Sequence, residues 1–563
     1  MSKWDGRKRA LLLTMFFLVW VIVIVASLVR IQLVNYNLFS ERVQAQSKRE
    51  VILHPKRGTI YDRNGLVLAA STKTKSAFIS NKDATASIDA LRALGQALHL
   101  PPRQITAVKK RIANQDKFIW VKRKLSEIEL NRVEKAMSGG NHDGVINFIE
   151  EYKRIYPQKR IAAHILGGVG IDEQGLAGIE FAHDNHVRGK GGKVQIFLDA
   201  RRKAFQLNYL AEPQPGRDVY LTIDATLQYI IERELERAVK SSKARGGSVI
   251  VIDVDDGAVL AMASNPTFSP EEISRVQPRQ LINRATSFNY DPGSTFKVIL
   301  AAAALEGNVS YPQQIFNCGN GSMQIRNRVI SDVKPFGQLS FEEILIHSSN
   351  IGAVRIGMLV GGKRYFQTIL DFGFGRRSGI ELPGEERGIL NPMEKWSDVS
   401  LAFLSFGYEI SVTPLQMAVA FNTIAAGGIR HRPYILLEPG QLKEDGERIL
   451  SQATSRRLAN IMAEVVRRGT GKRASMVGLE VAGKTGTAKK VKKGRYSNDY
   501  IASFGGFFPL DRPRVTIFVN IDEPLVNHFG GEIAAPLFKA IAEKLSFYLK
   551  VFPERAGELE VRL

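Results

Sequence analysis

The first long feature in the hydrophobic pattern is Ala10 to Val29, an uncharged and mostly apolar run with Phe16, Phe17 and Trp20 inside it. A bilayer core of ~30 Å takes about twenty helical residues, whereas a cleaved signal has a shorter apolar region of ~7–15. Residues 10–30 are therefore expected to be a single uncleaved membrane anchor. Lys3, Arg7, Lys8 and Arg9 precede it, and only Arg30 and Arg42 follow within positions 30–45, a bias that puts residues 1–9 in the cytoplasm and the rest outside. Residues 31–56 read as a juxtamembrane helix and connector. Beyond it, Asn64-Gly65 between two apolar runs predicts a hairpin. Ser87 to Leu98 has the spacing of an amphipathic helix, and 101–138 continues the helical pattern, interrupted by a strand at Phe118-Ile119-Trp120-Val121. Residues 72–150 thus read as a small lobe of their own, and Pro213, Pro215 and Gly216 mark a linker. After it come a strand at 218–224, a helix from Leu227 to Val239, and two strands, 247–254 and 258–264, about Asp256-Gly257. Val298 to Leu305 is apolar on every face, the mark of a central buried helix. A short strand ending at Ala482, strands near 504–509 and 515–520, and a helix over 532–549 complete the pattern, with 551–563 as a tail.

With 563 residues of which 44% are hydrophobic, the chain predicts several domains with substantial cores. Its formal charge of +22 suits an anionic partner: nucleic acid, a membrane surface or an acidic polymer. Zinc-type Cys/His spacing and aromatic RNP-like motifs are both missing, which removes nucleic acid from that group. Cys318 is the only cysteine, so no internal disulfide can form. The nine histidines show no ligand spacing such as H-E-x-x-H, so no metal is expected. Gly189-Lys190-Gly191-Gly192 lacks the phosphate-loop pattern and Gly373-Phe374-Gly375 lacks the dinucleotide one, so no cofactor is expected either. His164 sits in an apolar run without an acidic partner and reads as structural.

Candidate chemistry begins at Asp291-Pro292-Gly293-Ser294-Thr295-Phe296-Lys297, where a Pro-Gly break opens the apolar helix. Lys297 is one turn beyond Ser294, where the two side chains can meet. A hydroxyl is a weak nucleophile without a neighbouring base. A lysine becomes a base when burial drives off its proton, and a helix N-terminus favours a developing oxyanion. Taken alone, the pair could equally be a capping serine and a snorkelling lysine. Two more motifs follow in order, Ser348-Ser349-Asn350 and Lys484-Thr485-Gly486-Thr487, starting 54 and 190 residues beyond Ser294. S-x-x-K, S-x-N and K-T-G together are the signature of penicillin-binding proteins and serine β-lactamases.

The sequence resembles a class B penicillin-binding protein of the division-specific group over nearly the whole chain after residue 50. Arg57 to Gly65 (R-G-x-I-x-D-R-N-G), Arg154-Ile155-Tyr156-Pro157 and Gly175 to Glu180 resemble the motifs of its N-terminal module. Leu382-Pro383-Gly384-Glu385, Trp396 and Phe406 to Gln416 resemble landmarks of its transpeptidase domain, although the family more often has glycine where Glu409 stands. The resemblance implies a multidomain α/β (α+β) protein. After the single transmembrane helix it expects an elongated non-catalytic pedestal at 31–215 with 72–150 as an inserted lobe. A transpeptidase domain at 216–550 follows, with a central antiparallel sheet flanked by helices. It implies a D,D-transpeptidase of the inner membrane that cross-links peptidoglycan stem peptides from a lipid-linked precursor, with D,D-carboxypeptidase activity as a side reaction. Ser294 would be the nucleophile that β-lactams acylate, Lys297 its base, Ser348 a proton relay and Asn350 a holder of substrate amide and Lys297. Lys484 would supply positive field, Thr485 and Thr487 would bind the substrate carboxylate, and Gly486 would let the strand approach the ligand. Ser294 and Thr487 N–H groups would form the oxyanion hole. A septal role beside a polytopic glycan polymerase and other division proteins is also implied.

Within the same fold, a β-lactamase would need neither the N-terminal module nor an anchor, and a β-lactam sensor would need an output domain. An elongation-type transpeptidase shares the three motifs, and an idle cell-wall scaffold could keep them.

Overall fold

A computed structural model describes residues 5–34, 48–81, 83–137, 145–198, 204–437, 445–492 and 495–551. Part of the expected connector and nearly all of the C-terminal tail lie outside these residues. The anchor run forms helix Asp5–Val29, and within it Lys8–Val29 is long and apolar enough to cross a membrane.

Two compact units divide the chain: residues 1–56, 75–152 and 189–215 form one, and residues 57–74, 153–188 and 216–563 the other. The module expected at 31–215 therefore contributes to both.

In the smaller unit, the amphipathic patterns are realised as helices Ala84–Ala97, Pro102–Ala113 and Glu127–Met137. Strand Phe118–Lys122 pairs antiparallel with residues 77–80, and Ile79, Leu91, Leu94, Ile112, Ile119 and Val121 form its core. A separate three-stranded sheet joins Lys48–Leu53, Gly192–Leu198 and Ala204–Ala211.

The larger unit is mixed α/β around a five-stranded sheet that is antiparallel throughout. Its spatial order is Val259–Asn265, Gly246–Asp253, Val515–Asp522, Arg495–Phe508, Ala482–Lys492. Both sheet faces are covered, so strands Gly246–Asp253 and Val515–Asp522 are buried on both sides along nearly their whole length. Val249 and Val251 point to one face, where helices Ala225–Ser241 and Gly530–Tyr548 pack through Leu227, Ile231, Leu235, Phe538 and Ile541. Ile250 and Ile252 point to the other, into a core shared with helices Lys297–Glu306, Asn350–Val360 and Pro414–Ala425. The strand expected at 218–224 is shorter and belongs elsewhere: Val219–Leu221 pairs parallel with Ile60–Tyr61 and antiparallel with Leu436–Leu437.

Three stretches far apart in sequence meet in one buried ion-pair cluster in this unit. Arg57 reaches Glu180 Oε2 through NH2 at 2.7 Å and Asp184 Oδ1 through NH1 at 2.6 Å. Arg154 Nε donates to the other Glu180 oxygen at 2.5 Å, and Tyr156 OH lies 3.3 Å from it. Burial works against the Arg57 charge, but Glu180 and Asp184 more than offset it and raise its pKa. Nearby, Asp62 accepts from the N–H groups of Asn64 and Leu66 and closes the predicted hairpin. Asn64 Nδ2 donates to Asp224, the N-cap of helix Ala225–Ser241. His164 is structural, as read: Nε2 lies 2.8 Å from the Gln280 carbonyl, its ring edge meets Phe268, and burial lowers its pKa to about 4.

Candidate active site

Ser294 lies in a 3-10 turn, Gly293–Phe296, that runs straight into the α-helix Lys297–Glu306. The α-helix thus begins at the lysine, one turn later than the Pro-Gly break alone suggests. Side chains three apart eclipse in a 3-10 turn, which sets Ser294 and Lys297 on the same side. Gly293 has φ +55° and donates its N–H to Gly407 O at 3.0 Å; a Cβ there would press on Thr487 O at 3.1 Å. The Ser294 turn is thereby wedged against strand Ala482–Lys492. Gly486 permits the approach from the strand side, since its Cβ would meet Thr295 Cγ2 at 2.8 Å and Pro292 O at 3.1 Å. The nearest atom would be Ser503 Oγ on the adjacent strand, so Gly486 makes room for that strand as well as for the Ser294 turn.

Lys297 is 1% exposed and Lys484 is 0% exposed. Lys297 Nζ donates to Ser348 O at 2.6 Å and to Asn350 Oδ1 at 2.8 Å, with Ser348 Oγ at 3.4 Å. Lys484 Nζ donates to the same Ser348 Oγ at 2.9 Å and to Thr485 O at 3.1 Å. Two ammonium groups thus converge on one serine hydroxyl, and Ser348 is held in the left-handed region at φ 62° as the C-cap of helix Phe341–His347. Burial, reinforced by the Lys484 charge and opposed by Asp332, drives the Lys297 pKa well below the ordinary lysine range. Burial alone lowers Lys484 to about 7. Burial disfavours the charged form of each lysine, and at Lys297 the Lys484 charge adds to it.

Of the two threonines, Thr485 is buried with its hydroxyl 2.7 Å from that of Thr470. Thr487 Oγ1 accepts the Gly530 N–H at 3.0 Å, which leaves its own proton to donate. Glu409 sits at φ 59°, the left-handed conformation that glycine adopts without cost.

The sequence profile of the penicillin-binding protein transpeptidase domain matches residues 247–543, and that of the penicillin-binding protein dimerisation domain matches residues 52–221. The chain is 32% identical over 521 residues to the peptidoglycan D,D-transpeptidase FtsI of Escherichia coli K12, covering 91% of this chain and 87% of that protein. The chain belongs to the class B penicillin-binding proteins. It is also 32% identical to stage V sporulation protein D of Bacillus subtilis, over 94% of this chain and 84% of that one. Among solved structures, penicillin-binding protein 3 of Mycobacterium tuberculosis in complex with aztreonam superposes with a TM-score of 0.69 at 28% identity, covering 89% of this chain and 98% of that chain.

In this penicillin-binding protein all three sequence motifs converge, through Lys297, Ser348, Asn350 and Lys484. Two contributors escaped the sequence reading. Thr470 pairs with Thr485 from a Gly-Thr-Gly stretch (469–471) that has no motif of its own. Asp332 accepts from the Ser349 hydroxyl at 2.6 Å, from the Asn350 N–H, and from the Ile351 N–H at 3.2 Å. A lone aspartate in a polar hairpin carries no signal in the sequence that would single it out.

Proposed function

We propose that this penicillin-binding protein is a peptidoglycan D,D-transpeptidase that works through a serine acyl-enzyme and is acylated by β-lactams. The observation that carries the reading is the meeting of two buried lysines at Ser348 Oγ beside the Ser294 turn. Ser294 Oγ attacks the carbonyl between the two D-alanines of a stem peptide and gives its proton to neutral Lys297. The oxyanion is met by the N–H groups of Ser294 and Thr487, each such donor being worth roughly 10²–10³ in rate. Ser348, whose oxygen accepts from both lysines, has its own proton available for the leaving D-alanine nitrogen. Asn350 keeps Lys297 oriented, Lys484 supplies positive field, and Thr485 and Thr487 receive the substrate carboxylate. The amine of a second stem peptide then attacks the ester and loses its proton to the Lys297–Ser348 pair, which returns a proton to the departing Ser294 Oγ and so frees Ser294 with the cross-link made. Water in place of that amine gives the carboxypeptidase side reaction.

Intact-mass measurement after incubation with penicillin is expected to show one adduct, absent from Ser294→Ala. An adduct that survives the substitution overturns the assignment.

The helix Lys8–Val29 serves in this reading as a single-pass anchor of the inner membrane with the large domains outside. Protease added to spheroplasts should digest the transpeptidase domain, and protection would reverse the topology. The septal role rests on the resemblance of the stretches 268–294 and 530–536 to the division-specific group. A polytopic glycan polymerase is then the natural partner of the anchor. Depletion in a rod-shaped host should give filaments without septa, whereas round swelling cells would assign the enzyme to elongation.

A further inference from the structure

The turn that carries Ser348 and Asn350 is held from outside the three motifs. Asp332 follows strand Arg328–Ser331, and its carboxylate accepts three hydrogen bonds at the start of helix Asn350–Val360. One comes from the hydroxyl of the N-cap Ser349 at 2.6 Å, the others from the N–H groups of Asn350 and of Ile351, the latter at 3.2 Å. Helix N-termini leave such N–H groups unpaired and favour a negative charge beside them. The preceding residue acts on the same turn: Ser331 O accepts from Asn350 Nδ2 at 3.0 Å. This bond fixes the amide with Oδ1 toward Lys297 Nζ, 2.8 Å away. Asp332 is tied back through its own N–H to Gly321 O at 3.1 Å. Hairpin Ser322–Ile325/Arg328–Ser331 thus grips the catalytic turn at two successive residues.

We propose that Asp332 is a positioning residue for acylation, locking the Ser348–Asn350 turn against Lys297 and supplying the negative charge that faces the two-lysine pair. Lys297 and Lys484 are both fully buried, and Asp332 is the carboxylate whose charge bears on Lys297. Its charge favours the Lys297 ammonium, so the residue sets both where the base stands and how readily it gives up its proton. The other titratable groups around this locus are Lys484 on the neighbouring strand, the buried Cys318 thiol beside Ser349, and Arg355 on the helix that Asp332 caps.

The proposal rests on Ser294 being the acylated nucleophile. The experiment keeps the two apart, because Ser294→Ala tests the nucleophile and the Asp332 variants are read only on adduct mapped to Ser294. The full chain in detergent is treated with penicillin across pH 5–9, and adduct formation is timed by intact mass. Asp332→Ala removes charge and acceptors together, and a misplaced catalytic group costs about 10² in rate. That variant is expected to acylate about a hundredfold more slowly at the pH optimum. Asp332→Asn keeps an acceptor for the two backbone N–H groups but not the charge. It should retain more of the rate, and the acid limb of its profile should move to lower pH, because Lys297 then loses its proton more easily. An Asp332→Asn profile that superposes on the wild type overturns the charge role. Wild-type rates in Asp332→Ala, or a loss no larger than its loss of folded protein in thermal unfolding, overturn the positioning role.

Discussion

Around Glu180, two buried arginines meet two carboxylates, buried Glu180 and half-buried Asp184, with their charges matched; around Ser348, two lysines are buried with one carboxylate, Asp332, bearing on Lys297. In the first cluster each guanidinium finds an acceptor, and the Arg57 pKa rises although burial opposes it. In the second, the lysines donate to neutral oxygens, and both pKa values fall. Burying a charge without its partner is costly enough that the group neutralises instead. Matched burial therefore holds the charge in place, and mismatched burial makes a lysine give up its proton more readily. The lesson concerns composition as well: charged residues inside the same unit serve opposite ends, and only their partners tell them apart.

The sharpest break in the comparison is Lys297→Ala. Loss of a general base costs roughly 10²–10⁴ in rate, so penicillin should acylate the variant that much more slowly. Its melting temperature should fall modestly, since Ser348 O and Asn350 Oδ1 lose the amine that donates to them. Acylation at the wild-type rate would remove Lys297 from the chemistry.

Glu180→Gln should act the other way round. Removing one partner of a buried ion pair costs about 3–5 kcal/mol, because it leaves the other charge uncompensated. Denaturant unfolding should show a loss of that order, while the folded fraction still acylates at the wild-type rate.

The pH profile sharpens the second cluster. Lys484 must be protonated to receive a carboxylate, and burial lowers its pKa to about 7. The second-order acylation rate should therefore fall as pH rises above that value, by about tenfold per unit at the far end, as expected for a free-enzyme group. The acid limb, set by Lys297, should lie lower. A penicillin methyl ester should react more slowly and lose the alkaline limb; equal profiles for ester and parent would take the carboxylate away from Lys484.

The smallest effect is expected at the surface. Lys492, at the exposed end of strand Ala482–Lys492, pairs with Asp499 and with Glu523. Exposed pairs contribute little. Lys492→Ala should leave acylation and melting temperature unchanged, and a clear drop in either would mean that this pair is not the surface feature its exposure indicates.

Much of the fold and most of the site could be read along the chain. The run Val298 to Leu305 is a helix buried on every side, and the apolar stretches near 247–264 and 504–520 are strands of one sheet. These elements carry their own periodicity, so local spacing is enough to find them. The three motifs were visible because each is a short string of fixed spacing. The partners of the short strand Val219–Leu221 could not be read at all, since a few β-forming residues say nothing of which edge they will join.

The chain by itself determined the apolar anchor run and the classes of the main elements, and it singled out Ser294, Lys297, Ser348, Asn350 and Lys484 as candidates, because each of these readings depends on residues near one another in sequence. Tertiary structure alone decided which charges are matched. Arg57 meets Glu180 across 123 positions, Lys484 meets Ser348 across 136, and Asp332 caps a helix that begins 18 residues later. Side-chain ionisation follows from distance and burial in space, and neither quantity is a function of sequence spacing.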